Sequence, residues 1–75
     1  MRTLQREMNG TDVRVWQEFL IGQGLLEAGN ATGHFGPKTE EATRHYQAVH
    51  GLQADGVLGP KTLATAQGDG FVEND

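Results

Sequence analysis

No cysteine occurs in the chain, so neither a disulfide nor a thiolate metal site can brace it. No apolar run approaches the roughly 18 residues of a membrane-spanning helix. The opening stretch, residues 1–10, lacks the apolar core of a signal peptide. Basic residues are scarce: six Lys and Arg stand against ten Asp and Glu, a net charge of −4. That balance argues against a nucleic-acid partner, which selects for basic faces. Seventy-five residues without staples lie near the lower end of what a single core can hold together. With 36% hydrophobic and 21% charged residues, the chain suits one small soluble globule better than a disordered segment.

Proline occurs only twice, and both copies fall in the same phrase. GHFGPKT begins at Gly33 and GVLGPKT at Gly56, 23 residues later, with five of seven letters identical. A phosphate-binding loop is excluded. Its glycines are spaced differently, and Pro37 and Pro60 remove an N–H where the phosphate cradle needs one. The phrase reads instead as local backbone chemistry. Pro suits the first position of a helix, where a missing N–H costs nothing. Gly36 and Gly59 can serve as N-caps, and Gly33 and Gly56 suit a turn with positive φ.

The similarity extends beyond the phrase. VRVWQ at 13–17 answers to TRHYQ at 43–47, and each is followed by a Gly-Leu pair, Gly24-Leu25 and Gly51-Leu52. The order helix, Gly-Leu stop, turn, helix start thus occurs twice, as two pseudo-symmetric half-repeats, too few for a solenoid. Period and caps predict helices over about 12–22, 37–49 and 60–66, the first with Thr11 as N-cap. Val13, Trp16 and Leu20 share one face, as do Thr39, Ala42, Tyr46 and Val49; Leu63 and Ala66 point inward from the third helix. Leu4, Leu25, Phe35, Leu52, Val57 and Leu58 complete the core. The expected fold is all-α, a small three-helix bundle with glycine-rich loops over residues 1–67. Residues 68–75, GDGFVEND, read as a polar C-terminal tail or linker.

Catalytic chemistry finds no foothold. No nucleophile has a plausible base, and Glu40 and Glu41 are adjacent rather than framed across a glycosidic bond. His45 and His50 are five apart, whereas a helical ligand pair needs i, i+4, so His34, His45 and His50 read as surface residues, and neither metal nor cofactor is expected. Trp16 and Tyr46 read as packing residues, with the Tyr46 hydroxyl at an edge. The Gln17 and Gln47 amides are expected to satisfy loop backbone groups. Val15 and Phe19, at i, i+4, point away from the core face and form a candidate docking pair.

The ordered set Asp12, Val13, Trp16, Gln17, Leu20, then Gly33, Phe35, Gly36, Thr39, then Tyr46, Gln47, Gly51, Leu52, Asp55, Gly56, Gly59, Thr62 resembles the peptidoglycan-binding domain family of three-helix modules. The match runs from about residue 4 to 66. It departs from the family's habit at Thr32, where Asp is usual, at Trp16 for Leu, Tyr46 for Phe, Thr43 for Val and Ala66 for Leu. The resemblance implies a non-catalytic module that anchors a linked catalytic domain, a wall hydrolase such as an endolysin or amidase, to peptidoglycan. It implies a site at the cell wall, in the periplasm or outside the cell, reached as part of a larger protein or by phage-mediated release. A monomer is expected, with no membrane contact. Lys38 and Lys61 sit in helix first turns, where a cation is slightly unfavourable, a local conflict of the kind found at functional positions. With His34, Thr39, Asp55 and Thr62, they are the expected ligand contacts, converging in one pocket if the half-repeats face one another. The alternative is a protein-docking module acting through Val15 and Phe19.

Overall fold

Three α-helices follow the turn signals in the computed structural model, which describes residues 1–72: α1 Thr11–Gly22, α2 Pro37–Val49 and α3 Pro60–Gly68. Among the described residues no extended strand forms. The N-terminal segment makes two isolated antiparallel bridges, Leu4 with Leu58 and Asn9 with His34. No described helix is long and apolar enough to cross a membrane.

Pro37 and Pro60 open α2 and α3 behind Gly36 and Gly59 as N-caps. The first helix departs from expectation: Gly10 is the N-cap and Thr11 the first helical residue, with no side-chain cap. The loop explains the shift. The Gly10 N–H donates to the Gly33 carbonyl at 2.9 Å, and the Gly10 carbonyl accepts the Arg14 N–H at 3.2 Å, so the first helical carbonyl is fixed there. Asp12 Oδ1 accepts the Val13 N–H at 2.9 Å, placing a carboxylate in the first turn where the helix dipole favours one.

All three helices end alike. The N–H groups of Leu25, Leu52 and Phe71 reach back to the carbonyls of Leu20, Gln47 and Ala66 at 3.0, 2.8 and 2.9 Å. The preceding glycines, Gly24, Gly51 and Gly70, have φ of 77°, 70° and 100°. A residue without Cβ takes this left-handed stop at no steric cost, and the apolar residue after it folds back on the helix. The third copy falls within the expected polar tail or linker of residues 68–75: Phe71 is 4% exposed and belongs to the core, while residues 73–75 lie outside the described residues.

That core holds Leu4, Val13, Trp16, Leu20, Phe35, Ala42, Tyr46, Leu58 and Ala66, with Leu26 added. Leu25, Leu52, Val57 and Leu63 are only half-buried. Val49, placed inward by its spacing, is 75% exposed. The buried face of α2 is Thr39, Ala42, Thr43, Tyr46 and Gln47; at 100° per residue Val49 lies roughly 90° from its centre. Phe19 corrects a second expectation. Its ring lies 5.4 Å from Trp16, 5.6 Å from Tyr46 and 5.2 Å from Phe71, and Val15 is also half-buried against the core. The C-terminal Phe71 covers the face on which this pair was to dock a partner.

Gly24 and Gly56 share a φ, 77° and 76°, but not their surroundings. A Cβ on Gly56 would lie 2.7 Å from Glu40 Cγ and 3.3 Å from Arg44 Nε, whereas one on Gly24 meets nothing within 4 Å. Both alanine variants incur the left-handed backbone cost of about 1–2 kcal/mol. Gly56→Ala is expected to lose a further ~1–3 kcal/mol through overpacking. Urea unfolding of the two variants measures the difference; equal losses would show that Glu40 and Arg44 yield freely.

Candidate functional site

Each loop before a helix is gripped by a glutamine from the preceding helix. Gln17 Oε1 accepts the Gly33 N–H at 2.8 Å, and Gln47 Oε1 accepts the Gly56 N–H at 2.9 Å. Gln17 Nε2 donates to the His34 carbonyl and to Thr39 Oγ1, both at 2.9 Å. Gln47 Nε2 donates to the Val57 carbonyl at 2.9 Å and to Thr62 Oγ1 at 3.0 Å. Gly33 and Gly56 turn with φ of 83° and 76°. A side-chain oxygen closes each turn from inside: Thr32 Oγ1 accepts the His34 N–H at 3.2 Å, and Asp55 Oδ1 accepts the Val57 N–H at 2.9 Å. Both are side-chain mimics of a backbone turn.

Asp55 differs from Thr32 in charge. Its Oδ1 also accepts Gln47 Nε2 at 2.9 Å. The Val57 N–H foremost, then the Gln47 amide, hold its carboxyl below the usual carboxylate range. Asp12 is lowered for a related reason, chiefly the hydrogen bond from Arg2 Nε to Oδ2 at 2.7 Å.

Several clefts open on these loops, among them one of about 420 Å³ beside Gly10 and Gly33 and one of about 270 Å³ beside Glu27, Lys38 and Glu41; two more lie at the starts of α2 and α3. The larger, about 510 Å³, lies before α3 and is lined by Leu52, Asp55, Val57, Gly59, Pro60 and Lys61 among others. The second, about 360 Å³, lies before α2 and is lined by Asn30, Thr32, His34, Gly36, Pro37 and Lys38. Lys38 and Lys61 therefore line different clefts, and the expected single pocket separates into two. Thr39 and Thr62, 3% and 5% exposed, stand at the backs of these clefts and support the turns. Their hydroxyls are turned onto the glutamine amides because the third helical residue faces the core here.

The charges are sorted as well. Arg2, Arg6, Arg14 and Arg44 all pair with carboxylates. Neither lysine has an ion-pair or hydrogen-bond partner for its ammonium among the described residues. No group of three or more His, Asp or Glu residues among the described ones is placed to hold a metal ion.

Three helices with clefts at the starts of α2 and α3 thus form the frame of the site. Residues 9–65 match the family described as "Putative peptidoglycan binding domain", and the chain belongs to that family. The SleB N-terminal domain superposes with a TM-score of 0.84 at 34% identity, covering 91% of this chain and 92% of that one. The Burkholderia AP3 phage endolysin superposes with a TM-score of 0.83 at 35% identity, over 99% of this chain and 27% of the endolysin. N-acetylmuramoyl-L-alanine amidase CwlL of Bacillus licheniformis is 41% identical over 63 residues, 76% of this chain and 17% of the amidase. This chain thus spans a small part of the length of that amidase.

Two outcomes test the frame. Gln47→Leu leaves the buried Gly56 N–H and Thr62 hydroxyl without their partner. At ~1–3 kcal/mol per unsatisfied group, the loss is expected to reach about 3 kcal/mol or more by urea unfolding. A loss under about 1 kcal/mol would mean that water replaces the amide. The second outcome concerns acid. Asp12 and Asp55 hold their protons less tightly folded than unfolded. Their contribution is complete at neutral pH and is lost as the pH falls from about 4 through the lowered folded values. Thermal unfolding between pH 6 and pH 2 is expected to show that decline, shallower in Asp12→Asn and Asp55→Asn.

Proposed function

We propose that this domain binds peptidoglycan in the cleft before α3 and, without chemistry of its own, holds a linked wall hydrolase on its substrate at the cell wall. Family membership supports the polymer. The observation that carries the site is the pairing of an ionised Asp55 with an unpartnered Lys61 around apolar Leu52, Val57 and Pro60. Asp55 Oδ1 is occupied by the Val57 and Gln47 N–H groups, which leaves Oδ2 as an acceptor. A stem peptide matches this arrangement: its carboxylates suit Lys61, its amine and amide N–H groups suit Asp55, and its methyl groups suit the apolar floor. The benefit to a linked enzyme is local concentration, since even weak binding is repeated along a polymer. A docking role through Val15 and Phe19 is disfavoured by the packing of Phe71 over Phe19.

The test is co-sedimentation with peptidoglycan stripped of protein and teichoic acid. A small, partly polar footprint gives a single-site dissociation constant roughly in the micromolar to millimolar range. Lys61→Ala and Asp55→Asn are expected to weaken pelleting while circular dichroism shows the helices intact, and added salt should weaken it by screening. Undiminished pelleting of both variants would move the site away from this cleft.

A further inference from the structure

The residues lining the two clefts correspond at a constant offset of 23. Thr32, His34, Gly36, Pro37, Lys38 and Thr39 around the smaller cleft answer to Asp55, Val57, Gly59, Pro60, Lys61 and Thr62 around the larger. The backbone frame is held the same way in both, by a glutamine amide, a positive-φ glycine and a proline at the helix start. The lysine is unpartnered in both among the described residues. The differences lie at the rim. Where the larger cleft has the Asp55 carboxylate, the smaller has the neutral Thr32 hydroxyl. Where the larger has the Val57 side chain, the smaller has the His34 ring.

That ring is held in place. His34 Nδ1 lies 2.7 Å from Asn9 Oδ1. A Cβ on Gly36 would stand 3.5 Å from His34 Cδ2, so the ring lies close over the Gly36 backbone. With Nδ1 occupied, Nε2 has no partner among the described residues. Beside it are Pro37, Lys38 and Asn30, whose Nδ2 donates to the Glu27 carbonyl at 3.1 Å and whose Oδ1 is left as an acceptor.

We infer that the cleft before α2 is a second, separate binding site, and that it takes the glycan rather than the peptide of the wall polymer. The inference rests on the reading of the larger cleft as a peptidoglycan site. The smaller cleft lacks a carboxylate to receive a ligand amine. It offers instead a flat proline and imidazole surface for the C–H face of a pyranose ring. Its rim carries neutral donors and acceptors for hydroxyl and acetamide groups, and the Lys38 ammonium adds a donor for sugar hydroxyl and amide carbonyl oxygens. One domain would then contact both chemistries of the polymer through a single backbone device used twice.

Backbone amide NMR separates the two sites with two soluble probes, a disaccharide of two N-acetylglucosamine units, which carries no carboxylate, and a free stem peptide. The disaccharide is expected to shift the amides of Thr32, His34 and Lys38, and the peptide those of Asp55, Val57 and Lys61. Lys38→Ala should abolish the disaccharide shifts and leave the peptide shifts in place; His34→Ala should do likewise. A disaccharide that moves no amide between residues 30 and 39, or only those between 51 and 62, overturns the second site even if whole peptidoglycan still pellets the domain. Failure of whole peptidoglycan to pellet the domain sinks the underlying reading instead, and the second site with it.

Discussion

A glutamine amide closed over a left-handed glycine turn is the interaction on which the rest of this small domain depends. Gln17 and Gln47 are each 1% exposed, among the few polar side chains inside the core. Each carboxamide oxygen accepts a turn N–H, and each amide nitrogen donates to the next carbonyl and to the threonine three residues into the following helix. Turn, helix start and preceding helix are thereby fixed to one another by a single side chain. A net hydrogen bond is worth only about 1 kcal/mol, but leaving its buried partner empty costs more. A chain of this length, whose whole stability is of the order of 5–10 kcal/mol, cannot absorb many such losses. The N-terminal segment extends the same device. Leu4 exchanges backbone hydrogen bonds with Leu58 at 3.2 and 2.8 Å, and Phe35 donates to the Met8 carbonyl at 2.8 Å, so one strand of chain ties both loops down.

Three departures from the family's usual residues, Trp16, Thr43 and Tyr46, answer to the same demand. Trp16 brings an indole N–H into the core, and Thr43 supplies the acceptor, Nε1 to Oγ1 at 3.0 Å. The Thr43 hydroxyl in turn donates to the Thr39 carbonyl at 2.8 Å, leaving neither group empty. Tyr46 brings a phenol, which donates to Asp69 Oδ2 at 2.7 Å, and His50 Nε2 meets the same carboxylate oxygen at 3.0 Å. Burial, foremost, and the Asp69 carboxylate keep the Tyr46 hydroxyl protonated far above the usual range. The larger aromatic rings also give Phe71 a surface to pack on, perpendicular to Trp16 at a centroid distance of 5.4 Å. A polar atom added to the core survives here only with its partner.

Much of this was legible in the sequence because the turn chemistry is local. Proline after glycine marks where α2 and α3 begin, and the Gly-Leu pairs mark where α1 and α2 end. The same signal marks the end of α3 as Gly70-Phe71, but the polar letters around it mask one buried aromatic when composition is read over a window. Val49 was misplaced because a stripe defined by a few positions does not locate the centre of a helix face. Thr39 belongs to the expected inward stripe of α2 and, with Thr62, is also an expected ligand contact; that both hydroxyls turn onto glutamines 22 and 15 residues away in the chain is not written in local spacing. The separation of Lys38 from Lys61 follows from how the halves pack, and spacing along one chain does not encode that.

Frame and rim have different freedoms in this domain, and that bears on function. Gly56 and the buried glutamines and threonines cannot change without a clash or an unsatisfied group. Both lysines are exposed and their ammonium groups hold no turn together, so their identities are constrained less by folding. The sorting of charge points the same way. In a chain with a net charge of −4, every arginine finds a carboxylate and neither lysine finds one among the described residues. Folding stability alone gives no reason to place an unpaired cation in a helix first turn, still less to do so twice at equivalent positions. The proposed peptidoglycan role supplies a reason at Lys61, where the first-turn N–H groups and the ammonium would act together on a stem-peptide carboxylate.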